Sequence, residues 1–448
     1  MKIVIAGAGE VGFHLAKLLY KESHDIYLID DDNDRLKYVG KYLDVMTVRG
    51  DATSISILKQ VKIDTSDLLI AVTESQNTNL TVAALSKKLG VKKTIARISN
   101  PEFLSTTEIN FKEVGIDYMI SPEELAAAEI ETLLDDSIFN DKIEFEGGIF
   151  NVVGVTLPEN AALIGKTVEA AKNKFKQIDF IVISIKRENE EKSIIPRGDT
   201  IFKAHDQVYF SIPGDSLEKI NFLIGAEKSG IKDVMILGGG RVGQKASRMI
   251  CADKRNAKII EVNHDRCLEI ANELPEVLVV QSDGRDVVVL EEESIENMDA
   301  FVAVTGHTET NIMTCLLAKS KGVKKTIAMV ENSHYVNISQ TIGVDTLINK
   351  KLLAANAIFR HVRKGRVLAV ANLHNIHAEI MEFLVRRPCK IMNNPIKKIK
   401  LPKKSVVGGV IREGKALMTF GDFQILKGDR VLMFCLPEAV DDVEDLFN

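Results

Sequence analysis

Short runs of apolar residues alternate along the chain with longer stretches in which apolar residues recur at helical spacing. Runs such as KIVIAG, DIYLID and LLIAVT are continuously apolar and rich in Val and Ile. Continuous rather than alternating apolar runs indicate strands that are buried on both faces, as in a parallel sheet covered by helices. Between them, VGFHLAKLLYKE and TNLTVAALSKKL have the spacing of amphipathic helices. The β-α-β-α order predicts a doubly wound, Rossmann-like α/β fold.

This pattern occurs twice. KIVIAGAGEVG at 2–12 returns as DVMILGGGRVG at 233–243, and GVKKTIA at 90–96 is repeated letter for letter at 322–328. Several further blocks correspond at a nearly constant offset. Similarity that keeps its register over separated blocks indicates an internal duplication.

A smaller unit follows each large one. A segment that ends in DQVYFSI in the first half corresponds to one that ends in DRVLMFC in the second, and Asp206 is aligned with Asp429. Both segments alternate behind a turn-forming corner, as a strand of a β-hairpin does. We therefore predict two parallel-sheet domains, each followed by a small α+β subdomain. The predicted domains are 1–140, 141–228, 229–364 and 365–448.

A glycine-rich motif follows the first strand of each large unit and opens its first helix. In such G-x-G-x-x-G loops the first glycine permits a tight turn, the second lets the backbone approach a pyrophosphate, and the third allows close helix–strand packing. The amides at the N-terminus of the helix supply donors for phosphates. The alternative is a fold that has lost its ligand and keeps these glycines for packing alone.

An acidic residue ends the next strand in each copy, Asp30 in the first and Glu261 in the second. This residue is expected to accept hydrogen bonds from ribose hydroxyls and to repel a 2′-phosphate. NAD(H) or a plain adenine nucleotide is therefore favoured over NADP.

Polar residues at two other strand ends recur in both copies. Asp51 and Asp283 follow the third strands, and Thr73 and Thr305 end the fourth. These positions face the carboxyl ends of the sheet, where ligands bind in open α/β folds. Each residue could equally cap the next helix, although its recurrence favours contact with a ligand.

The two predicted sites differ in charge. Glu10 in the first loop cannot help to bind phosphate and is expected to point away, whereas the second loop carries Arg241. Arg97 ends a strand at the first crevice, and Met329 occupies its place in the second copy. Arg97 is a candidate partner for distal phosphates, or alternatively a plain surface ion-pair residue.

Composition limits the class of protein. The 448 residues are 45% hydrophobic and 27% charged, as is usual for folded chains of about three domains. The net charge of −5 argues against nucleic acid as the main partner. The five cysteines form no C-x-x-C pair, which favours free thiols in a reducing compartment. No signal peptide and no apolar run of about 20 residues is evident, so we expect a cytoplasmic protein whose membrane role, if any, is peripheral.

Catalytic motifs are missing from the sequence. It contains no Y-x-x-x-K pair, P-loop, H-E-x-x-H helix or G-x-S-x-G elbow. His374 and His377 alone do not define a zinc site, so no metal is expected. We predict a non-enzymatic sensor, in which ligand binding shifts domains against one another. The alternatives are an NAD-dependent oxidoreductase with an unidentified substrate and an NADH-sensing transcription factor, although no basic helix-turn-helix segment is evident.

The whole chain resembles the peripheral NAD-binding subunits of bacterial Trk-type potassium uptake systems, which contain tandem RCK/KTN domains, each with a small C-terminal subdomain. The resemblance rests on GAGEVG with Asp30, GGGRVG with Glu261, the two AVT strands, TIARISNPEF, and the GDT/GD pattern of the small units. It implies a regulator on the cytoplasmic face of the membrane, docked on a potassium-transporting subunit. It also implies a homo-oligomeric RCK ring that responds to NAD(H), ATP or ADP.

The same resemblance implies two sets of ligand-binding residues, to which the polar strand-end pattern adds Asp51. The first set is Gly7, Ala8, Gly9, Glu10, Val11, Asp30, Thr73, Glu74 and Arg97. The second set is Gly238, Gly239, Gly240, Arg241, Val242, Glu261, Ser282, Asp283 and Thr305.

Overall fold

The described residues form two six-stranded sheets and two smaller antiparallel sheets. The structure is a computed structural model that describes all residues except 21–23, 107, 136–138, 140, 188–189, 191–192, 218, 226–229, 333–342, 363–366, 373–378 and 448. The predicted fold class is confirmed, with each Rossmann-like sheet followed in sequence by a small antiparallel sheet.

The first large sheet is parallel throughout, in the order β3-β2-β1-β4-β5-β6. Its strands are β1 Lys2–Ala6, β2 Asp25–Asp30, β3 Met46–Arg49, β4 Leu68–Ala71, β5 Lys93–Arg97 and β6 Tyr118–Ile120. The helices between and after them are α1 Glu10–Tyr20, α2 Asn33–Tyr42, α3 Ile55–Gln60, α4 Gln76–Leu89, α5 Glu102–Ser105, α6 Phe111–Val114 and α7 Pro122–Asp135.

Local sequence explains these boundaries. All residues of β4 are buried, as expected for a central strand with helices on both faces. Asp32 caps α2 by accepting from the amides of Asp34 and Arg35. Gly90 ends α4 in the left-handed region at φ 115°, where a glycine carries no steric penalty.

The first small sheet is antiparallel in the order β7-β8-β10-β9. Its strands are β7 Asp141–Phe145, β8 Phe150–Thr156, β9 Ile181–Lys186 and β10 Gln207–Pro213, with helices α8 Val168–Lys174 and α9 Ile220–Ile224.

The second large sheet repeats the first, in the order β13-β12-β11-β14-β15-β16. Its strands are β11 Asp233–Leu237, β12 Asn256–Glu261, β13 Leu278–Gln281, β14 Ala300–Ala303, β15 Lys325–Met329 and β16 Thr346–Ile348. Its helices are α10 Arg241–Ala252, α11 His264–Glu273, α12 Val287–Glu292, α13 Thr308–Ser320 and α14 Lys350–Val362.

The second small sheet has the order β17-β18-β21-β19-β20. Its strands are β17 Val367–Asn372, β18 Glu379–Leu384, β19 Ser405–Arg412, β20 Lys415–Leu417 and β21 Arg430–Cys435, followed by α15 Val440–Glu444.

The aspartates that the repeat aligns in the small sheets have the same structural role. The carboxylate of Asp206 accepts from the Lys203 amide at 2.7 Å and pairs with Arg187. Asp429 accepts from the Leu426 amide at 2.8 Å and pairs with Arg412. Both aspartates are buried, and an arginine compensates for the charge that burial leaves without water. The two corners, His205–Asp206 and Gly428–Asp429, therefore stabilise the fold of each small unit.

Contacts divide the described chain into two compact units. One comprises residues 1–128 and 349–362, and the other comprises 129–348 and 363–448. Within the first unit, α14 packs against α1, although α14 follows the second large sheet in sequence. The four domain boundaries predicted from the sequence stay a prediction.

The described part of the chain contains neither a membrane-spanning helix nor a cluster of metal-binding side chains. None of its helices is long and apolar enough to cross a bilayer. No group of three or more His, Cys, Asp or Glu residues in the same part could hold a metal ion. His374 and His377 lie outside the described residues. The five cysteines are free thiols, and Cys267, Cys315 and Cys435 are buried, as expected for small core residues.

Candidate functional site

The first glycine loop connects β1 to α1 and requires glycine at two positions. Gly7 has φ +110°, and a Cβ there would lie 2.9 Å from the amide nitrogen of Thr73. A Cβ on Gly12 would lie 1.8 Å from the carbonyl oxygen of Gly7. The middle glycine is different, because a Cβ on Gly9 would meet only a guanidinium nitrogen of Arg35, at 3.9 Å. The backbone at Gly9 is thus open to an approaching group.

Asp30 at the end of β2 holds this loop. Its Oδ2 accepts from the Ala8 amide at 2.6 Å, and its Oδ1 accepts from the Asp32 amide at 2.9 Å. The residue is only 7% exposed, so these amides replace the water that would otherwise solvate the carboxylate. The predicted ribose acceptor is therefore fixed beside the glycine loop.

A buried asparagine joins the ends of two neighbouring strands. Oδ1 of Asn79 accepts from the Thr73 amide at 2.8 Å and from its hydroxyl at 2.7 Å. Nδ2 of Asn79 donates to the carbonyl oxygens of Thr73 at 3.1 Å and Arg97 at 2.9 Å. Because Asn79 is fully satisfied and 1% exposed, it sets the spacing of the crevice at the carboxyl edge of the sheet.

Charged side chains surround the first loop. Nη2 of Arg35 lies 2.9 Å from Oε1 of Glu74 and its Nε lies 3.6 Å from Oδ2 of Asp32. The hydrogen bond that Arg35 donates to Glu74 raises the pKa of Arg35. Oε2 of Glu10 lies 3.0 Å from Nζ of Lys351, in the first turn of α14. Glu10, which was expected to point away from phosphate, thus has a cationic partner.

Arg97 lacks a carboxylate partner among the described residues. Its buried Nε has no hydrogen-bond acceptor in that part of the chain. A buried guanidinium nitrogen without a partner is costly, and a bound anion would satisfy it. The alternative of a surface ion pair therefore has no support here, and Arg97 is well suited to meet an anionic ligand.

The second loop connects β11 to α10 with the same geometry. Gly238 has φ +108°, and a Cβ on Gly243 would lie 2.0 Å from the carbonyl oxygen of Gly238. Oε2 of Glu261 accepts from the Gly239 amide at 2.8 Å, and Oε1 accepts from the Asn263 amide at 2.9 Å. Nothing lies within 4 Å of a Cβ built on Gly240, so this cradle is open as well.

The asparagine clamp is repeated at the second site. Oδ1 of Asn311 accepts from the amide and hydroxyl of Thr305 at 3.0 and 2.6 Å. Its Nδ2 donates to the carbonyl oxygen of Met329 at 2.8 Å. Met329 is buried in the place of Arg97, and Arg241 is exposed at the start of α10. The second crevice therefore carries its cation on the loop rather than on the strand.

Asp51 and Asp283 are occupied by local contacts. Oδ1 of Asp51 accepts from the amide and hydroxyl of Thr53, both at 2.8 Å, which lowers the pKa of this carboxyl. Nη2 of Arg285 lies 2.7 Å from Oδ2 of Asp283, and hydrogen bonds from Arg285 lower the pKa of Asp283 to about 2. Both carboxylates hold turns ahead of a helix without capping it, and their predicted contact with a ligand stays a prediction.

The structure brings most of the predicted residues together around the two loops. The amide of Ser282 donates to the carbonyl oxygen of Glu261 at 3.0 Å, so Ser282 lies beside the acidic residue of the second site. Val11 and Val242 are buried in the first turns of α1 and α10, where they anchor the loops by packing. Their side chains therefore pack beneath the loops, and the predicted contact of these two residues with a ligand stays a prediction.

Sequence reasoning missed two pairs of residues. Asn79 and Asn311 form the buried clamps, and Arg35 and Arg266 lie beside the acidic ends of β2 and β12. Nη1 of Arg266 is 3.6 Å from Oε2 of Glu261. The signal was present, because TNL/TNI and NDR/HDR occur at corresponding positions of both copies.

The fold and the paired glycine loops define a duplicated Rossmann-like chain in which each large domain carries a crevice of the nucleotide-binding type. The TrkA-N domain family matches residues 3–122 and 234–350, and the TrkA-C domain family matches 152–224 and 380–448. The chain belongs to the TrkA family of Trk potassium uptake proteins.

Relatives match over the full length. The chain is 34% identical over 457 residues to Trk system potassium uptake protein TrkA homolog 2 of Methanosarcina mazei, and both chains are covered completely. It is 31% identical over 454 residues to the TrkA protein of Halomonas elongata, covering 100% of this chain and 99% of that one.

Solved structures share the fold. The GsuK RCK domain superposes with a TM-score of 0.60 at 14% identity, covering 100% of this chain and 94% of that one. The GsuK channel bound to NAD gives a TM-score of 0.59 at 14% identity, covering 100% and 78%. At such identity the likeness concerns the fold alone. Together with the family match, it confirms the resemblance inferred from the sequence.

Proposed function

We propose that this protein is the nucleotide-responsive regulatory subunit of a Trk-type potassium uptake system. NAD(H), with ATP or ADP as alternative ligands, binds at the two glycine loops and changes how strongly the membrane subunit conducts potassium. The single observation that carries this proposal is the loop geometry, which is intact in both copies. In each copy a buried carboxylate accepts a hydrogen bond from a backbone amide of the loop. The backbone at the middle glycine has room beside it for an approaching group.

The residues fit the proposed ligand. Asp30 and Glu261 are fixed at strand ends where they can accept from ribose hydroxyls, and the first amides of α1 and α10 are placed for phosphates. The buried Nε of Arg97 needs an acceptor, which a phosphate would supply. A GsuK channel of the same fold binds NAD, and another GsuK structure contains ADP.

The proposal involves binding without chemistry. A hydride transfer would need a proton donor or acceptor beside the nicotinamide, and the sequence has no recognised pair for that purpose. Ligand occupancy then acts through the relative free energies of conformations. We further propose that the chain works as a homo-oligomeric RCK ring on the cytoplasmic face of the membrane, docked on a potassium-transporting subunit.

Asp30→Ala tests the first site. Because a hydrogen bond to a charged group contributes about 1.5–3 kcal/mol, NADH affinity at this site should fall at least about tenfold in titration calorimetry. Asp30→Asn keeps an acceptor for the Ala8 amide, so its free energy of unfolding should fall less than that of Asp30→Ala. Asp25→Ala, at the exposed opposite end of the same strand, is the matched control and should bind normally.

Two further measurements address the rest of the proposal. The parent protein should leave NADH unoxidised with a panel of carbonyl compounds, and a substrate-dependent rate would favour the oxidoreductase alternative. Co-purification with a potassium-channel-like membrane subunit should depend on NADH or ATP. If Asp30→Ala binds NADH as tightly as the parent, the ribose assignment is wrong.

A further inference from the structure

Glu10 is an unusual residue for a phosphate cradle, and the structure shows how its charge is balanced. It begins α1, where the amides of the first turn favour an anion. Nζ of Lys351 lies 3.0 Å from its Oε2. Lys351 belongs to the second repeat in sequence, but α14 packs on α1 within the first compact unit. A cation from the second repeat is therefore held at the phosphate end of the first site.

A second lysine strengthens this arrangement. Nζ of Lys350 lies 3.8 Å from Oε1 of Glu123, which is 8% exposed at the start of α7. Two consecutive lysines of α14 thus meet two acids of the first repeat. The repeat alignment places Glu123 opposite Lys351 and Arg241 opposite Glu10. The charges at corresponding positions are therefore reversed between the two copies. A glutamate on the loop paired with a lysine of the partner helix is thus an arrangement that only the first site can have.

We propose that Lys351 is a specificity-determining residue of the first site, which distinguishes nucleotides by the charge of their terminal phosphate. This inference rests on the proposed function. With the ribose at Asp30 and the first phosphates on the loop, a triphosphate extends across the N-terminus of α1. Its terminal phosphate then competes with the Glu10 carboxylate for the ammonium of Lys351. The pyrophosphate of NADH is bridged between two nucleosides and carries less charge, so it leaves the Glu10–Lys351 pair in place.

The properties of this ion pair suit such an exchange. The side chains of Lys351 and Glu10 are 30% and 54% exposed, so the pair contributes little to stability and is readily exchanged. Lysine is a point charge on a flexible stem, which can move to a phosphate without a fixed bidentate geometry. An ammonium–phosphate hydrogen bond is stronger than its neutral counterpart.

The test uses the full chain with the second site weakened by Glu261→Gln, and it measures ATP and NADH affinity by titration calorimetry. Lys351→Met keeps the length of the side chain and removes its charge. ATP affinity should fall about tenfold, which is the size expected for one charge-assisted hydrogen bond, and NADH affinity should change less than about twofold. Lys92→Met is the matched control. Its ammonium pairs with Asp67 at 2.6 Å at the opposite edge of the same sheet, so both affinities should stay unchanged.

The converse variant removes the competing acid. Glu10→Gln should raise ATP affinity more than NADH affinity, and this preference should disappear in the double variant with Lys351→Met. Circular dichroism melting of every variant checks that the chain is folded.

The outcomes distinguish a failure of this inference from a failure of the proposed function. If Lys351→Met weakens both nucleotides equally, or neither, Lys351 does not select the ligand and the inference is wrong while the proposed function stands. If the Glu261→Gln chain binds neither nucleotide, or binds them independently of Asp30, the proposed function fails and the inference fails with it.

Discussion

In both glycine loops a backbone amide donates to the acidic residue at the end of the next strand, but the packing beside this hydrogen bond differs. In the first, Ala8 lies next to the shorter acid Asp30, and in the second, Gly239 lies next to the longer Glu261. A Cβ on Gly239 would lie 3.2 Å from Cβ of Glu261 and 2.5 Å from Cδ1 of Ile270. A methyl group on Gly239 is therefore excluded mainly by the side chain of Ile270, with Glu261 packed close beside it. After the duplication, the contact between acid and amide persisted while the volume around it was redistributed.

The charges around the loops differ more than their shapes. The first loop carries Glu10, balanced by Lys351, and Arg97 lies at the end of β5 at the same edge of the sheet. The second loop carries Arg241, and the strand position is the buried Met329. Two crevices with the same backbone therefore present different electrostatic environments to a phosphate chain, and we expect them to differ in nucleotide preference.

The largest expected effect on stability concerns the third glycine of each loop, which packs against a backbone carbonyl oxygen in both copies. Gly12→Ala and Gly243→Ala place a Cβ at 1.8 and 2.0 Å from a backbone carbonyl oxygen, which no side-chain movement can relieve. Each variant should lose about 3 kcal/mol of unfolding free energy, the upper range for overpacking, measured by denaturant titration.

Substitutions at the open glycines provide the matched control for this comparison. Gly9→Ala and Gly240→Ala have room for a methyl group, so stability should change by less than about 0.5 kcal/mol. Nucleotide binding should nevertheless weaken, because the methyl group occupies the face that a pyrophosphate approaches. Equal stability of Gly12→Ala and Gly9→Ala would contradict the packing explanation.

A smaller effect should follow from making the first crevice resemble the second. Arg97→Met should lower first-site ATP affinity about tenfold, because one charge-assisted hydrogen bond is lost. The free energy of unfolding should not fall, since the substitution removes a buried Nε that has no partner in the described part of the chain. Lys93→Met, at the other end of β5, is the control, and calorimetric titration separates the two variants. An unchanged ATP affinity in Arg97→Met would remove Arg97 from the site.

The predicted parts of the fold and site rest on local patterns. Continuous apolar runs determine the strands, and the glycine spacing determines both loops with Asp30 and Glu261, because each signal lies within one βαβ unit. The pairing of Lys351 with Glu10 could not be predicted, since it depends on α14 packing onto a helix from the other end of the chain. Asn79 lay within reach of sequence reasoning, but a polar residue in a helix does not by itself indicate which strand ends it joins.

The smallest effect concerns the aspartates that follow the third strands. Arg285 lowers the pKa of Asp283 to about 2, whereas Asp51 is supported by Thr53 and has no arginine at the corresponding place. Because the pKa is depressed in the folded state, the stabilisation is present at neutral pH and is lost as the pH falls from about 4 to about 2.

Arg285→Ala separates this ion pair from the turn that both copies share. The side chains of Arg285 and Asp283 are 71% and 43% exposed, so solvent screening makes the loss of unfolding free energy at neutral pH small. Carboxyl NMR titration should show the pKa of Asp283 rising but staying below its ordinary value, because the amide of residue 285 still donates to Oδ1. The pKa of Asp51 should stay unchanged. If the pKa of Asp283 also stays at about 2, the backbone turn rather than the arginine depresses it, and the two copies are electrostatically equivalent at this position.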